Sequence, residues 1–375
     1  MNKKVMIIGA GLSGATLARV LAERGFEIYI YEQEKVVGGM AADKNELRSY
    51  PVGIKGPHIF HTNNEKVFQF ISRFCELDNY IHKVKSVTEI GILPWPINFT
   101  TIKEIFGTST CTEGLRKWRV DIKETKSKIG KPTTFIKKAK CEVGKKVYEI
   151  MIENYSKHQW GNEYQKLPAS LFNRIRVVFS TNDNFFDDKY QGMPIGGYTK
   201  LVENILDHKN INLFTSSKIL FEDYEKYIYK NKFILSTAKP NEISDGRFGI
   251  LPYRELNFMD ATSTLKSRLD DEVFKNIAVI NLAKKHAKFT RATNYKKLYS
   301  INTNEKDIIM AEYASKEGGV SCYPIMTSDN VECSVKYINY LQKLGIYSFG
   351  RLGSYKYINM DEAILTAIDL DETVW

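Results

Sequence analysis

Gly9-x-Gly11-x-x-Gly14 lies between the continuous apolar run Val5-Met6-Ile7-Ile8 and a stretch, Ala15 to Glu23, in which Leu17, Val20 and Leu21 recur at helical spacing. A short apolar run without alternation is the pattern of a parallel strand buried on both faces. Gly25 stops the helix, and Phe26 to Tyr31 reads as a second strand that ends at Glu32. Strand, glycine turn, helix and strand in this order open a doubly wound parallel sheet. Gly9 then permits the tight turn, Gly11 lets the backbone approach a pyrophosphate, and Gly14 lets helix and strand pack closely. The helix N-terminus offers free N–H groups and its positive dipole end to the phosphates. Glu32, at the end of the second strand, is placed to accept ribose hydroxyls and disfavours a 2′-phosphate, so NAD or FAD is expected over NADP.

A second glycine pair, Gly38-Gly39, follows Glu32 closely and resembles the extended FAD fingerprint, which moves the expectation to FAD. Lysine-rich stretches with apolar residues at helical spacing from about Thr100 to Phe172 predict a helical insert. Short β-branched or alternating runs, among them Lys232 to Leu235, Arg254 to Phe258 and Ala278 to Leu282, predict sheet strands. The expected class is α/β: a Rossmann-like FAD-binding domain (1–75 with 195–240 and 320–375), a helical substrate domain (100–175) and a mostly antiparallel sheet domain (76–99 with 176–194 and 241–319).

No apolar run reaches the ~20 residues of a membrane span, and no signal peptide is readable. Five cysteines without a C-x-x-C pair predict reduced thiols, a cytoplasmic location and no zinc site. With 54 basic and 44 acidic residues the net charge is +10, which favours an anionic partner; a nucleotide sugar or an anionic inner-membrane surface would both satisfy it. No nucleic-acid module is present, so DNA and RNA are not expected partners.

Several blocks then coincide with one family. Gly56-Pro57-His58-Ile59-Phe60-His61-Thr62, Pro96-Ile97-Asn98, Gln159-Trp160-Gly161, Arg174-Ile175, Tyr190-Gln191-Gly192-Met193-Pro194, Thr290-Arg291, Tyr323-Pro324-Ile325 and Gly350-Arg351-Leu352-Gly353 occur in family order along the chain. By these blocks the sequence resembles the UDP-galactopyranose mutase family. The resemblance implies an isomerase, commonly a homodimer, that interconverts nucleotide-linked hexopyranose and hexofuranose without net redox change. FAD acts there in its reduced form: its N5 attacks the anomeric carbon, the nucleoside diphosphate leaves, and the sugar recloses through a different hydroxyl.

The same resemblance implies roles residue by residue. Arg174 and Arg291 clamp the diphosphate, a task suited to the paired donors of guanidinium. Tyr323 and Tyr357 donate hydroxyls to the same phosphates. Tyr155 stacks on the base, and Trp160 closes over the substrate. His58 lies against the flavin and His61 near the sugar, where imidazole can donate or accept. With no third ligand at useful spacing, the two histidines do not predict a metal. Arg351 faces the flavin and favours its anionic reduced form, and Arg254 matches a further cleft arginine.

The chain departs from the family pattern on the substrate side. Phe185 stands for a tyrosine, Asn359 for an acid, Cys322 for a tyrosine and Asn294 for an acid, while Met40 follows Gly38-Gly39 where Asn or His is frequent. Such changes alter hydroxyl recognition, because unpaired buried polar groups discriminate strongly. UDP-galactose is the leading expected substrate, with dTDP-fucose or a UDP-N-acetylhexosamine as competitors. A flavin oxidoreductase of the amine-oxidase type and a non-catalytic nucleotide-sugar binder are the rival readings.

Overall fold

The computed structural model describes residues 4–44, 49–228, 234–266, 274, 277–299, 304–315 and 318–374. Two compact units emerge: Met1–Asn79 with Asp188–Arg254 and Ser321–Trp375, and Tyr80–Asp187 with Glu255–Val320.

The first unit is built on a five-stranded sheet in the order Ile346–Ser348, Ile234–Ser236, Lys4–Ile8, Glu27–Tyr31, Ile211–Phe214, with every pairing parallel. Val5, Met6 and Ile7 are fully buried at its centre, as an uninterrupted apolar run requires. Helix Leu12–Glu23 returns the chain to Glu27–Tyr31, buries Leu17 and Leu21 against the sheet and packs on helix Met360–Val374. It ends at Arg24, with Gly25 following in the left-handed region. The chain has neighbours on both sides of Lys4–Ile8, so the strand order reverses there and opens a crevice at its carboxyl end. Of the run expected at Lys232 to Leu235, residues 232 and 233 lie outside the described residues, and the strand is Ile234–Ser236.

In the second unit the strands Tyr253–Asp260, Ile309–Ala314, Arg291–Asn294, Val279–Leu282, Val84–Thr88 and Gly91–Trp95 follow one another in that order. Their pairings are antiparallel except between Val279–Leu282 and Val84–Thr88. Ile280, Ala292, Ile309 and Ala311 form the core on one face, with Ala261, Leu265 and Phe274 packed on it. Helices Phe99–Phe106, Cys111–Ile129 and Phe135–Val143 begin at Asn98, Thr110 and Thr134, whose side chains accept from backbone N–H groups of the first turn. Gly107, Gly130 and Gly144 terminate them.

The expected division into separate helical and sheet domains differs from this arrangement. Helix Phe99–Phe106 packs on strand Gly91–Trp95, and helix Asn154–Trp160 packs on Ile309–Ala314, so helices and sheet share one core. Residues 76–79, 188–194 and 241–254, assigned from the sequence to the sheet domain, belong to the first unit.

Candidate functional site

The crevice of the first unit encloses about 370 Å³, within the range of small-molecule sites. The three glycines differ in why they are glycine. A Cβ on Gly14 would lie 1.9 Å from the Gly9 carbonyl oxygen, so the close packing of helix on turn requires its absence. A Cβ on Gly11 would meet Gly39 Cα at 3.5 Å and the Gly38 carbonyl oxygen and Gly39 N at 3.9 Å, all ordinary contacts, and the fold itself does not demand glycine there. The open space beside Gly11 belongs to the crevice, which suits a ligand approaching the backbone. Gly38 N donates to the Ala10 carbonyl at 2.9 Å, which brings the second glycine pair against the first turn.

Glu32 is buried, and both its oxygens hold the loops: Oε2 accepts from Ala10 N at 2.8 Å and Oε1 from Glu34 N at 3.0 Å. Each oxygen keeps a further lone pair for a ribose hydroxyl. The crevice is also lined by His58, Arg351, Asn359 and the segment Ser217 to Leu220. The last was not singled out from the sequence, because nothing in it marks a turn that will face a ligand. Thr237 was missed too; it donates to the Ile8 carbonyl at 2.9 Å and stands where a Cβ on Gly9 would strike it.

His58 Nδ1 is 3.2 Å from the Gly56 carbonyl. His61 lies on strand Phe60–Thr62, paired with Tyr190–Gly192, and its Nδ1 is 2.8 Å from Asp188 Oδ2. Asn63 Nδ2 donates to the other Asp188 oxygen, and Asn63 Oδ1 accepts from Lys189 N at 2.8 Å. Asp188 therefore orients His61, a pairing hidden in the sequence by the length of chain between them.

Arg351, Tyr323 and Tyr357 come together. The two rings are 4.8 Å apart, and the guanidinium is 5.5 Å from each centroid, a cation–π geometry. Arg351 Nε and Nη2 donate to the Ile358 carbonyl at 3.0 and 2.7 Å. Asn359, expected on the substrate side, lines the same crevice as the glycines, and its backbone N–H donates to Glu362 Oε2 at 2.6 Å. Arg254 lies on strand Tyr253–Asp260 beside Tyr253, whose hydroxyl donates to the Leu352 carbonyl at 2.8 Å and whose acidity burial suppresses.

Within the second unit Arg291 is held on two sides. Its Nε is 3.3 Å from Glu312 Oε1, directly across the strand pairing, and its Nη2 donates to the Tyr155 hydroxyl at 3.0 Å. Glu312 is only 4% exposed, so Arg291 supplies the charge that makes its burial affordable. Tyr155 and Trp160 lie on helix Asn154–Trp160, which continues a π-helical segment, Tyr148–Glu153, and Trp160 is buried. Arg174 ends the 3₁₀ segment Ala169–Arg174 with its side chain exposed. The Phe185 ring lies in an aromatic cluster, 5.2 Å from His82 and 4.7 Å from Phe186.

Among the described residues no group of three His, Cys, Asp or Glu is placed to hold a metal, and no helix is long and apolar enough to cross a membrane.

Residues 150–357 match the family model of UDP-galactopyranose mutase, and residues 7–74 match that of an NAD(P)-binding Rossmann-like domain. A protein described as a probable UDP-galactopyranose mutase in Klebsiella pneumoniae is 33% identical over 371 residues, covering 98% of this chain and 93% of that one. A dTDP-fucopyranose mutase of Escherichia coli is 30% identical over 375 residues, with 98% and 97% covered. The crystal structure of a reduced UDP-galactopyranose mutase superposes with a TM-score of 0.72 over 100% of this chain and 95% of the other; at 14% identity that likeness shows a shared fold.

Proposed function

The chain belongs to the UDP-galactopyranose mutase family, and from that membership we propose that it interconverts the pyranose and furanose forms of a nucleotide-diphosphohexose, with UDP-galactose as its leading substrate. The observation that carries the reading is the crevice in which Gly11, Glu32, His58 and Arg351 meet. Its residues fit FAD: glycine where the protein does not need it, a buried carboxylate for a ribose, and a fixed cation. When bound and reduced, FAD supplies a nucleophilic ring nitrogen for the anomeric carbon, chemistry that no side chain of the crevice provides.

The protein's own groups bind and orient. Arg174 and Arg291 neutralise the diphosphate, which needs fixed positive charge as it leaves the sugar. Arg291 is held before substrate arrives, by the charge of Glu312 beside its Nε and by the hydrogen bond from its Nη2 to the Tyr155 hydroxyl. The Tyr155 hydroxyl gives this residue a second task beside stacking. Arg351 favours the anionic reduced ring, and His58 offers a hydrogen-bonding imidazole beside it. Asp188 keeps the His61 imidazole in one orientation and tautomer.

Tyr155→Phe keeps the ring but removes the acceptor of Arg291. A hydrogen bond to a charged group of this kind contributes roughly 2 kcal/mol, so kcat/KM should fall by about tenfold or more. Tyr155→Ala should weaken nucleotide affinity as well. Steady-state kinetics separates the two, and a Phe variant equal to the parent would leave Tyr155 with stacking alone.

A second substrate, dTDP-fucose, is favoured by the E. coli relative. The five cysteines are free thiols, which fits a reducing compartment such as the cytoplasm. The deciding experiment reduces the protein anaerobically with dithionite and supplies UDP-galactose, dTDP-fucose and UDP-N-acetylgalactosamine in turn. A furanose product that forms only with reduced flavin is the expected result, and the sugar that gives it is the substrate. Stoichiometric consumption of oxygen or reductant would support the oxidase reading instead. Nucleotide binding without conversion of any sugar would support a non-catalytic binder.

A further inference from the structure

The net charge is not spread over the molecule. Residues 80–187 and 255–320 hold 30 Lys and Arg against 20 Asp and Glu, whereas the first unit holds 24 of each, so the second unit carries the whole +10. Part of that excess is concentrated on helix Cys111–Ile129. Its Gly114, Trp118 and Thr125 are buried, and the Trp118 indole donates to the Val143 carbonyl at 2.7 Å. Away from these residues, Arg116, Arg119, Lys123 and Lys126 succeed one another at spacings of three and four, with Val120 and Ser127 beside them, and all six are exposed. Such spacing places them on one face, and the row from 116 to 126 is ~15 Å long.

Two features mark this row. Some lysines of the unit pair with an acid one turn away, as in Lys117–Glu113, Lys145–Glu149 and Lys157–Glu153, while others, among them Lys131 and Lys137, are exposed outside any such pair. Arg116, Arg119, Lys123 and Lys126 have no ion pair or hydrogen-bond partner among the described residues. Of the three acids of the helix, Glu113 faces Lys117 and Asp121 the Lys146 N–H, while Glu124 stands exposed beside Lys123 at the margin of the row and leaves the row a net positive charge. At the middle of the row stands Val120, an apolar side chain 53% exposed.

We propose that this face docks on an anionic lipid bilayer, with the four cations against lipid phosphates and Val120 at headgroup depth. A bilayer satisfies both features, since phosphate charge meets the cations and the acyl boundary accepts the valine. A nucleic acid would use stacking aromatics, and the one aromatic of this helix, Trp118, is buried. A second copy presenting the same row would meet it with like charge.

The test is sedimentation of the full protein with unilamellar vesicles of phosphatidylcholine alone and of phosphatidylcholine mixed with phosphatidylglycerol. Retention on the mixed vesicles only, released by salt, is expected. Arg119→Ala/Lys123→Ala should reduce that partitioning by about 30-fold, at ~1 kcal/mol for each basic residue, with turnover of the nucleotide sugar in solution unchanged. Lys209→Ala/Lys336→Ala, which removes the same charge from exposed positions of the first unit, should leave partitioning intact. Equal loss in both double variants would reduce the effect to net charge and overturn the assignment. So would failure of the parent protein to sediment with the anionic vesicles at low salt, or tighter retention on an oligonucleotide than on the vesicles.

Discussion

Arg291→Ala is expected to lower kcat/KM for the nucleotide sugar by about a thousandfold while the protein stays yellow, because the variant loses the arginine we propose as a diphosphate clamp without touching the glycine crevice. The same substitution acts on stability. Glu312 is held in the sheet by Arg291 across the strand pairing, and removing the guanidinium leaves a buried carboxylate without its counter-ion, a change that typically costs about 3–5 kcal/mol. The denaturation midpoint should therefore fall with the activity. Arg291→Ala/Glu312→Ala separates the two effects: stability should recover in part, since neither charge remains, and turnover should not. Full activity in Arg291→Ala would remove the clamp, and an unchanged midpoint would show that Glu312 does not depend on it.

Gly11→Ala and Gly14→Ala should fail in different ways although both lie in one turn. Gly14→Ala drives a methyl group to within 1.9 Å of the Gly9 carbonyl oxygen, so the helix must shift off the strand. The expected result is a loss of about 3 kcal/mol or more, or no folded protein. Gly11→Ala meets only ordinary contacts, and the variant should fold with a near-normal melting temperature. Its methyl group enters the crevice, so the purified variant should carry little flavin absorbance and regain little on incubation with FAD. A fully loaded Gly11→Ala protein would mean that the cofactor passes the turn at a distance.

These contrasts show which parts of the molecule could be read from its sequence. The strand, turn and helix at residues 4–23 are local: burial of Val5 to Ile7, the glycine turn and the stop at Gly25 follow from neighbouring residues. Arg291 and Tyr155 could be found by resemblance, but what holds Arg291 could not. Glu312 faces it through an antiparallel register, and register is set by packing of the whole sheet. The available signal was a single acid inside the apolar strand Ile309–Ala314, which only a buried partner accounts for. Asp188 was hidden in the same way, 127 positions from His61. The two units differ from the expected division where helix faces that look self-sufficient in sequence bury their apolar residues on strands encoded elsewhere. Segregation of the charge became visible only once those discontinuous boundaries were known.

The first unit is assembled from three separated stretches of chain, and this sets an order of events during synthesis. The glycine turn leaves the ribosome well before its flanking strand Ile234–Ser236, the edge strand Ile346–Ser348 and the packing helix Met360–Val374. Until then a nascent chain holds Lys4–Ile8 with one open edge, and long-range parallel pairing of this kind closes slowly. Arg351, one of the crevice's cations, also emerges in that later stretch. Cofactor capture should thus wait for residues 346–374, and a product interrupted before them should be cleared as an exposed, aggregation-prone sheet, without accumulating as a half-loaded flavoprotein.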